Sequence, residues 1–295
     1  MEKKNSYTLK LTALQENKLF ETWQEYTAKA PQYAKWQLRP ENCVITCYTS
    51  GKTLFQGSEA FVYASPFMEA DAGTAPAEKK TAFTDILPQA GSDEVGTGDY
   101  FGPVCVCAAY VDETTAARVR ELGVRDSKQL SDEDIRIIGK ELRELLPHSL
   151  LIVSNSKYNE IHPFNNMNQI KAKLHNQAYI NLSRKITLPS FKVIDQFTPE
   201  NLYYRYLKDV PYAVKGIHFE TKAEDKYISV GAASVIARYA FLICMDQLSE
   251  RYGMTLCKGA GTDADQCARE FVEKFGRERL GEVVKLHFKN TEKLN

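Results

Sequence analysis

Histidine and tryptophan are scarce in this chain of 295 residues, at five and two. The five histidines do not form a ligand set, which excludes a histidine-built metal centre. Net charge is also absent, since 38 Lys and Arg balance 38 Asp and Glu. Any nucleic-acid surface must therefore come from basic residues gathered on one face, not from bulk charge. No apolar run approaches membrane-spanning length, and the opening MEKKNSYTLK lacks the apolar core of a secretory signal. The expectation is a cytoplasmic protein without membrane partners. The seven cysteines, an odd number, suit reduced thiols better than a disulfide framework. Cys43 and Cys47 have no second pair at zinc-ligand spacing, which argues against structural zinc. Internal repeats and low-complexity tracts are missing too.

What remains is an ordinary globular composition, 43% hydrophobic and 26% charged, in a chain long enough for two domains. Residues 65–90, rich in Ala, Pro, Thr and Gly with weak periodicity, read as the linker. Before it, strands at Tyr7–Leu11, Val44–Tyr48 and Thr53–Gln56 and helices at Leu14–Ala28 and from Ala60 predict a small curved antiparallel sheet backed by helices. Trp23 and Trp36 read as core there. After it, strands near 90–93, 104–111, 149–154, 190–195 and 213–219 alternate with helices near 113–122, 132–146, 168–186, 227–251 and 264–275. The first two strands are joined too briefly for a crossover and pair antiparallel; the later ones are expected to be parallel. Ser131 and Asp134 form a capping box for the second helix. The stretch 269–293, where acids alternate with Arg277, Arg279, Lys285, Lys289 and Lys293, reads as exposed helix and tail.

The segment 91–103, GSDEVGTGDYFGP, carries the most information. Neighbouring side chains inside a strand point to opposite faces, so Asp93 and Glu94 share a site only if Glu94 already belongs to the turn. Gly96, Gly98 and Gly102 permit that turn and let backbone N–H groups approach a ligand closely. Two acids beside exposed amides point to a divalent metal next to a phosphodiester; the competing reading is a glycine-rich hairpin with solvated acids.

Asp195 ends the apolar strand FKVID, and ligand crevices in open α/β sheets lie at such strand ends. Glu224 and Asp225 both precede the long helix from Tyr227, where the helix dipole favours a carboxylate. Spacing does not choose between them, although Asp225 reads best as an N-cap. Ser127 and Lys128, in a loop after Gly123, offer a hydroxyl and an ammonium to a phosphate oxygen. Acids gathered around one point need cations, and carboxylates with water favour magnesium.

Together GSDEVGTGDYFGP (91–103), DSK (126–128), VIDQF (193–197) and AEDKYISVGAASVIAR (223–238) resemble the type 2 ribonuclease H family, most closely its HIII branch. The resemblance implies a ribonuclease H-like α/β fold with a mixed five-stranded sheet over residues 91–295. It also implies a small α+β, TATA-binding-protein-like substrate domain over 1–65 and a linker at 66–90. Asp93, Glu94, Asp195 and Glu224 would be the catalytic metal ligands, holding Mg2+ or Mn2+, two ions in all. Gly96, Thr97 and Gly98 would read ribose 2′-hydroxyls, with Thr97 where the family often has Arg. Ser127, Lys128 and Lys222 would lie near the scissile phosphate. From the residues themselves, Lys35, Arg39, Tyr48 and Lys52 surround the predicted sheet of the first domain and are expected to touch a nucleic-acid backbone. The implied partner is an RNA/DNA hybrid, cut in its RNA strand by a monomeric enzyme to 5′-phosphate and 3′-hydroxyl ends. Cleavage at single ribonucleotides within DNA, and a non-catalytic nucleic-acid-binding module, are the alternatives.

Overall fold

A computed structural model describes residues 5–68, 84, 86–124 and 130–294. They fall into two compact units, Met1–Lys80 with Phe197–Arg205, and Thr81–Gln196 with Tyr206–Asn295.

The first unit contains β1 (Ser6–Lys10), α1 (Ala13–Trp23), β2 (Thr27–Ala28), β3 (Ala34–Leu38), β4 (Val44–Tyr48), β5 (Lys52–Gln56) and α2 (Ala60–Met68). Its antiparallel sheet has the order β1-β5-β4-β3-β2. The expected long first helix stops at Trp23 because Thr27 and Ala28 pair with Leu38 and Gln37 as an edge strand. Its start is fixed by a capping box between Thr12 and Gln15. Trp23 is buried against Tyr63 as a core residue, whereas Trp36 is only half-buried, packed on Phe20. Segment 197–205 is tied to this unit by Arg205, which donates to Glu59 at 2.7 Å.

The second unit contains β6 (Gln89–Val95), β7 (Val104–Val111), α3 (Ala116–Glu121), α4 (Asp132–Leu145), β8 (His148–Val153), α5 (Asn155–Ile161), α6 (Met167–Ser183), β9 (Phe191–Asp195), β10 (Ile217–Glu220), α8 (Ile228–Tyr252), α9 (Thr262–Phe275) and α10 (Lys289–Glu292); α7 (Glu200–Tyr206) lies between β9 and β10. The sheet order is β10-β9-β6-β7-β8, with β6, β9 and β10 parallel. β8 runs antiparallel to β7 against the sequence expectation. The two helices between them, both expected from the sequence, return the chain to the end where β7 finished, so a helical connection here does not make a parallel crossover. The Ser131–Asp134 capping box forms as expected.

α8 lies against β6 and β7, while α6 packs on β6, β7 and β8 from the other face. By length and composition α8 is apolar enough to cross a membrane, which the sequence reading overlooked, yet 72% of its most apolar window is buried within the protein. A helix that is apolar all round belongs in a core. The C-terminal stretch is also no exposed tail: Leu280, Val283, Val284 and Lys285 are buried.

β6 and α8 approach so closely because Gly91 faces the first turn of the helix. A Cβ at Gly91 would meet Val230 N at 2.4 Å and Ser229 Oγ at 2.5 Å. Those atoms belong to helix backbone and to a serine whose hydroxyl and N–H both bond to Gln89 Oε1. Gly91→Ala is expected to destabilise the protein by about 3 kcal/mol through overpacking, measured by denaturant unfolding; unchanged stability would show that the strand and helix can separate.

Candidate active site

The register that sets Ser92 opposite Ile194 brings Asp93 and Asp195 to neighbouring strand ends. Asp195 Oδ1 accepts the N–H of Ala223 at 3.0 Å, which fixes the short 3-10 turn Ala223–Asp225 beside it. Glu224 in that turn is buried at 4% exposure, whereas Asp225 is half-exposed. Tyr227, not Asp225, occupies the N-cap position of α8, which corrects the expected capping role. Lys222, exposed and in the left-handed conformation (φ 56°), begins the turn.

Asp93 is buried among these acids. Burial first, then the charges of Asp195, Glu94 and Glu224, push its pKa well above the usual range, against a hydrogen bond from Ser234. Carboxylates so crowded attract a cation.

Glu94 differs from the expectation. β6 continues to Val95, with Glu94 opposite Val106, so Glu94 is in the strand and not in the turn. The long partner β7 extends the pairing. Glu94 therefore points to the opposite face from Asp93, toward α6. There Lys171 Nζ lies 2.5 Å from Oε1 and His175 Nε2 lies 2.8 Å from Oε2. A carboxylate only accepts, so Nε2 carries a hydrogen, and the other ring nitrogen meets Ser92 Oγ. Burial would raise the Glu94 pKa, but Lys171 and His175 outweigh it and lower it to about 2. Sequence reading missed both residues. The available signal was a Lys and a His four apart on a helix whose buried face also carries Asn168 and Asn176.

In the glycine loop, Gly96 has φ 95° and a Cβ there would strike Pro103 O at 2.2 Å. Gly98 is exposed, and a Cβ there would meet nothing within 4 Å. Ser127 and Lys128 lie outside the described residues. His218 pairs with Glu220 and Tyr227 and stacks near Phe191. In the first unit, Tyr48 and Lys52 flank the β4–β5 turn on the sheet face opposite buried Cys47 and Thr53, and Lys52 stands across from Lys10.

Among the described residues no three His, Cys, Asp or Glu side chains stand at metal-ligand spacing. The oxygen donors of Asp93, Asp195 and Glu224 nevertheless suit a hard divalent cation, and the high proton affinity of Asp93 marks a place where positive charge is favoured.

The Glu94–Lys171 pair generates a pH prediction. Because the folded pKa of Glu94 is depressed, its stabilisation is present above the unfolded value near 4.5 and is lost as pH falls toward 2. Lys171→Met should cost about 3 kcal/mol at pH 7 by stranding a buried carboxylate. Unfolding measured from pH 7 downward should show the gap narrowing below pH 4.5; a constant gap would assign the loss to packing.

The chain is similar to known proteins over most of its length. The family described as Ribonuclease HII matches residues 90–291, and a domain of unknown function, DUF3378, matches residues 6–80. A ribonuclease HIII of Bacillus cereus is 44% identical over 278 residues, covering 90% of this chain and 89% of the relative. The solved structure of Bst-RNase HIII in complex with Mn2+ is 37% identical with a TM-score of 0.68, covering 98% of this chain and 97% of that one. The ribonuclease H2 of Pyrococcus horikoshii OT3, at 25% identity and TM-score 0.59, covers 70% of this chain and 97% of its own. The chain belongs to the type 2 ribonuclease H family, in its ribonuclease HIII branch.

Proposed function

We propose that this chain hydrolyses the RNA strand of RNA/DNA hybrids with divalent metal, Mg2+ or Mn2+ and two ions, leaving 5′-phosphate and 3′-hydroxyl ends. The observation that carries the reading is the gathering of Asp93 in β6, Asp195 at the end of β9 and Glu224 in the turn before α8, where burial and the neighbouring charges raise the proton affinity of Asp93. Divalent cations, when bound, supply an activated water and neutralise the leaving oxygen. Asp93, Asp195 and Glu224 would hold them; Glu94, the fourth expected ligand, is turned to the α6 face and would join only by leaving Lys171 and His175. Lys222, exposed two residues before Glu224, is assigned to a phosphate oxygen, and its exposure supports that role. Asp195 holds the turn through the Ala223 N–H, so it orients Glu224 as well as offering its own oxygens.

Attack by the ribose 2′-hydroxyl would instead need a general base and give a cyclic phosphate. The histidines at 175 and 218 are engaged with Glu94 and with Glu220 and Tyr227, which favours attack by water. Residues 1–65 are assigned to substrate binding, with Tyr48 and Lys52 on the sheet face turned away from the core.

Strand choice is assigned to the backbone of Gly96, Thr97 and Gly98, since the 2′-hydroxyl is what separates RNA from DNA. The two glycines differ: Gly96 is demanded by its own backbone, while Gly98 has open space in front of it. Gly98 then serves close approach of a ligand.

Asp93→Asn and Glu224→Gln should abolish cleavage of a labelled hybrid, while Asp225→Asn should keep most of it. The reverse ranking of Glu224 and Asp225 would reassign the third acid, and 2′,3′-cyclic ends on the products would replace the mechanism. Gly98→Ala should leave the melting temperature unchanged and lower hybrid affinity at least about tenfold, roughly 1.4 kcal/mol; unchanged affinity would remove this loop from substrate recognition.

A further inference from the structure

The glycine loop has a stem, Asp99–Gly102, and the C-terminal segment ties it down residue by residue. Gly102 N donates to Val283 O at 2.9 Å, and Lys285 N donates to Tyr100 O at 2.9 Å. The Tyr100 hydroxyl pairs with Thr291 Oγ1 at 2.9 Å. At the centre is Lys285, fully buried, whose ammonium donates to Asp99 O at 2.8 Å and Gly102 O at 2.6 Å. Asn155 Nδ2 donates to the same Gly102 oxygen at 2.7 Å. Among the described residues Lys285 makes no salt bridge; backbone carbonyls hold it.

Burying an ammonium without an ion pair is costly, and an apolar side chain of similar length would fill the space at lower cost. Burial accordingly pulls the Lys285 pKa down to about 7, although the charge of Asp99 opposes this. What lysine provides and methionine would not is two fixed points, one on each side of Tyr100–Phe101. The loop stem is thereby held at Asp99 and Gly102, while Gly98 at the tip stays exposed.

We propose that Lys285 is a positioning residue for substrate recognition, pinning the loop stem so that Thr97 and Gly98 meet the RNA strand in a single arrangement. This rests on the reading of that loop as the RNA-contacting element. Lys285 touches no substrate and none of the four acids, so its removal acts on recognition and not on chemistry.

The test is Lys285→Met in the full chain, read by kcat and KM on a hybrid and by metal-free binding of the hybrid against an all-DNA duplex of the same sequence. KM should rise about tenfold with kcat kept within about threefold, and the preference for hybrid over DNA should fall in step. A merely structural role would lower the melting temperature and the active fraction, and so kcat, without moving KM. If Lys285→Met does not fold, Asn155→Ala removes the other side-chain donor to Gly102 O, and the same split is expected. Unchanged KM and preference in the variant that folds, or a loss confined to kcat, overturns the proposal. Wild-type protein that fails to prefer hybrid over DNA overturns the loop reading, and this proposal with it.

Discussion

A strand sends successive side chains to opposite faces, and β6 places Asp93 and Glu94 next to each other under that constraint. Asp93 faces the start of α8 and meets Ser234; Glu94 faces α6 and meets Lys171 and His175. A slip of one residue would exchange the two environments and bring Gly91 out from under the helix. The register is held from several sides, by β7 along all seven residues of β6, by β9 along four, and by the steric demand at Gly91.

The two faces solve the same electrostatic problem differently. On the α6 side, Glu94 is neutralised by the protein itself, through an ammonium and an imidazole, and its proton affinity falls. On the α8 side, Asp93 is surrounded by acids and its proton affinity rises. The protein thus supplies its own cation on one face of the strand and favours an external one on the other. Charges packed this closely cannot all remain ionised in a low-dielectric pocket without such compensation. Lys171 also lets an acid adjacent to Asp93 in the chain sit on the other face of β6 without adding its full repulsion to the acids on the α8 side.

Much of this arrangement was legible in the sequence because it is local. Apolar strands ending in Asp, glycines after the acids, and small residues opening the long helix each carry their own steric or electrostatic signature. The parts that escaped are long-range. Glu94 was expected in the turn because nothing near it in sequence reveals that β7 prolongs the pairing. The direction of β8 depended on how the two expected helices pack and return the chain, and β3 is short and broken by an irregularity between Ala34 and Trp36. Lys285 was read as part of a solvated tail because lysine is rarely buried. Its environment is made by Asp99 and Gly102, more than 180 residues earlier.

The glycine loop shows why one residue type needs two explanations. Gly96 and Gly102 sit at φ 95° and 81°, and a Cβ at either would strike a neighbour, Pro103 O or Met245 Sδ. They are consequences of the fold. Gly98 meets no such obstacle among the described residues. On the proposed reading of this loop, its small size leaves room for a strand that approaches from outside. The stem beneath it is fixed by Lys285, Asn155 and Tyr100, so the freedom glycine would ordinarily bring is confined to the tip. A rigid stem under an open tip lets backbone groups act as a reader, since main-chain donors can discriminate only where their direction is set in advance.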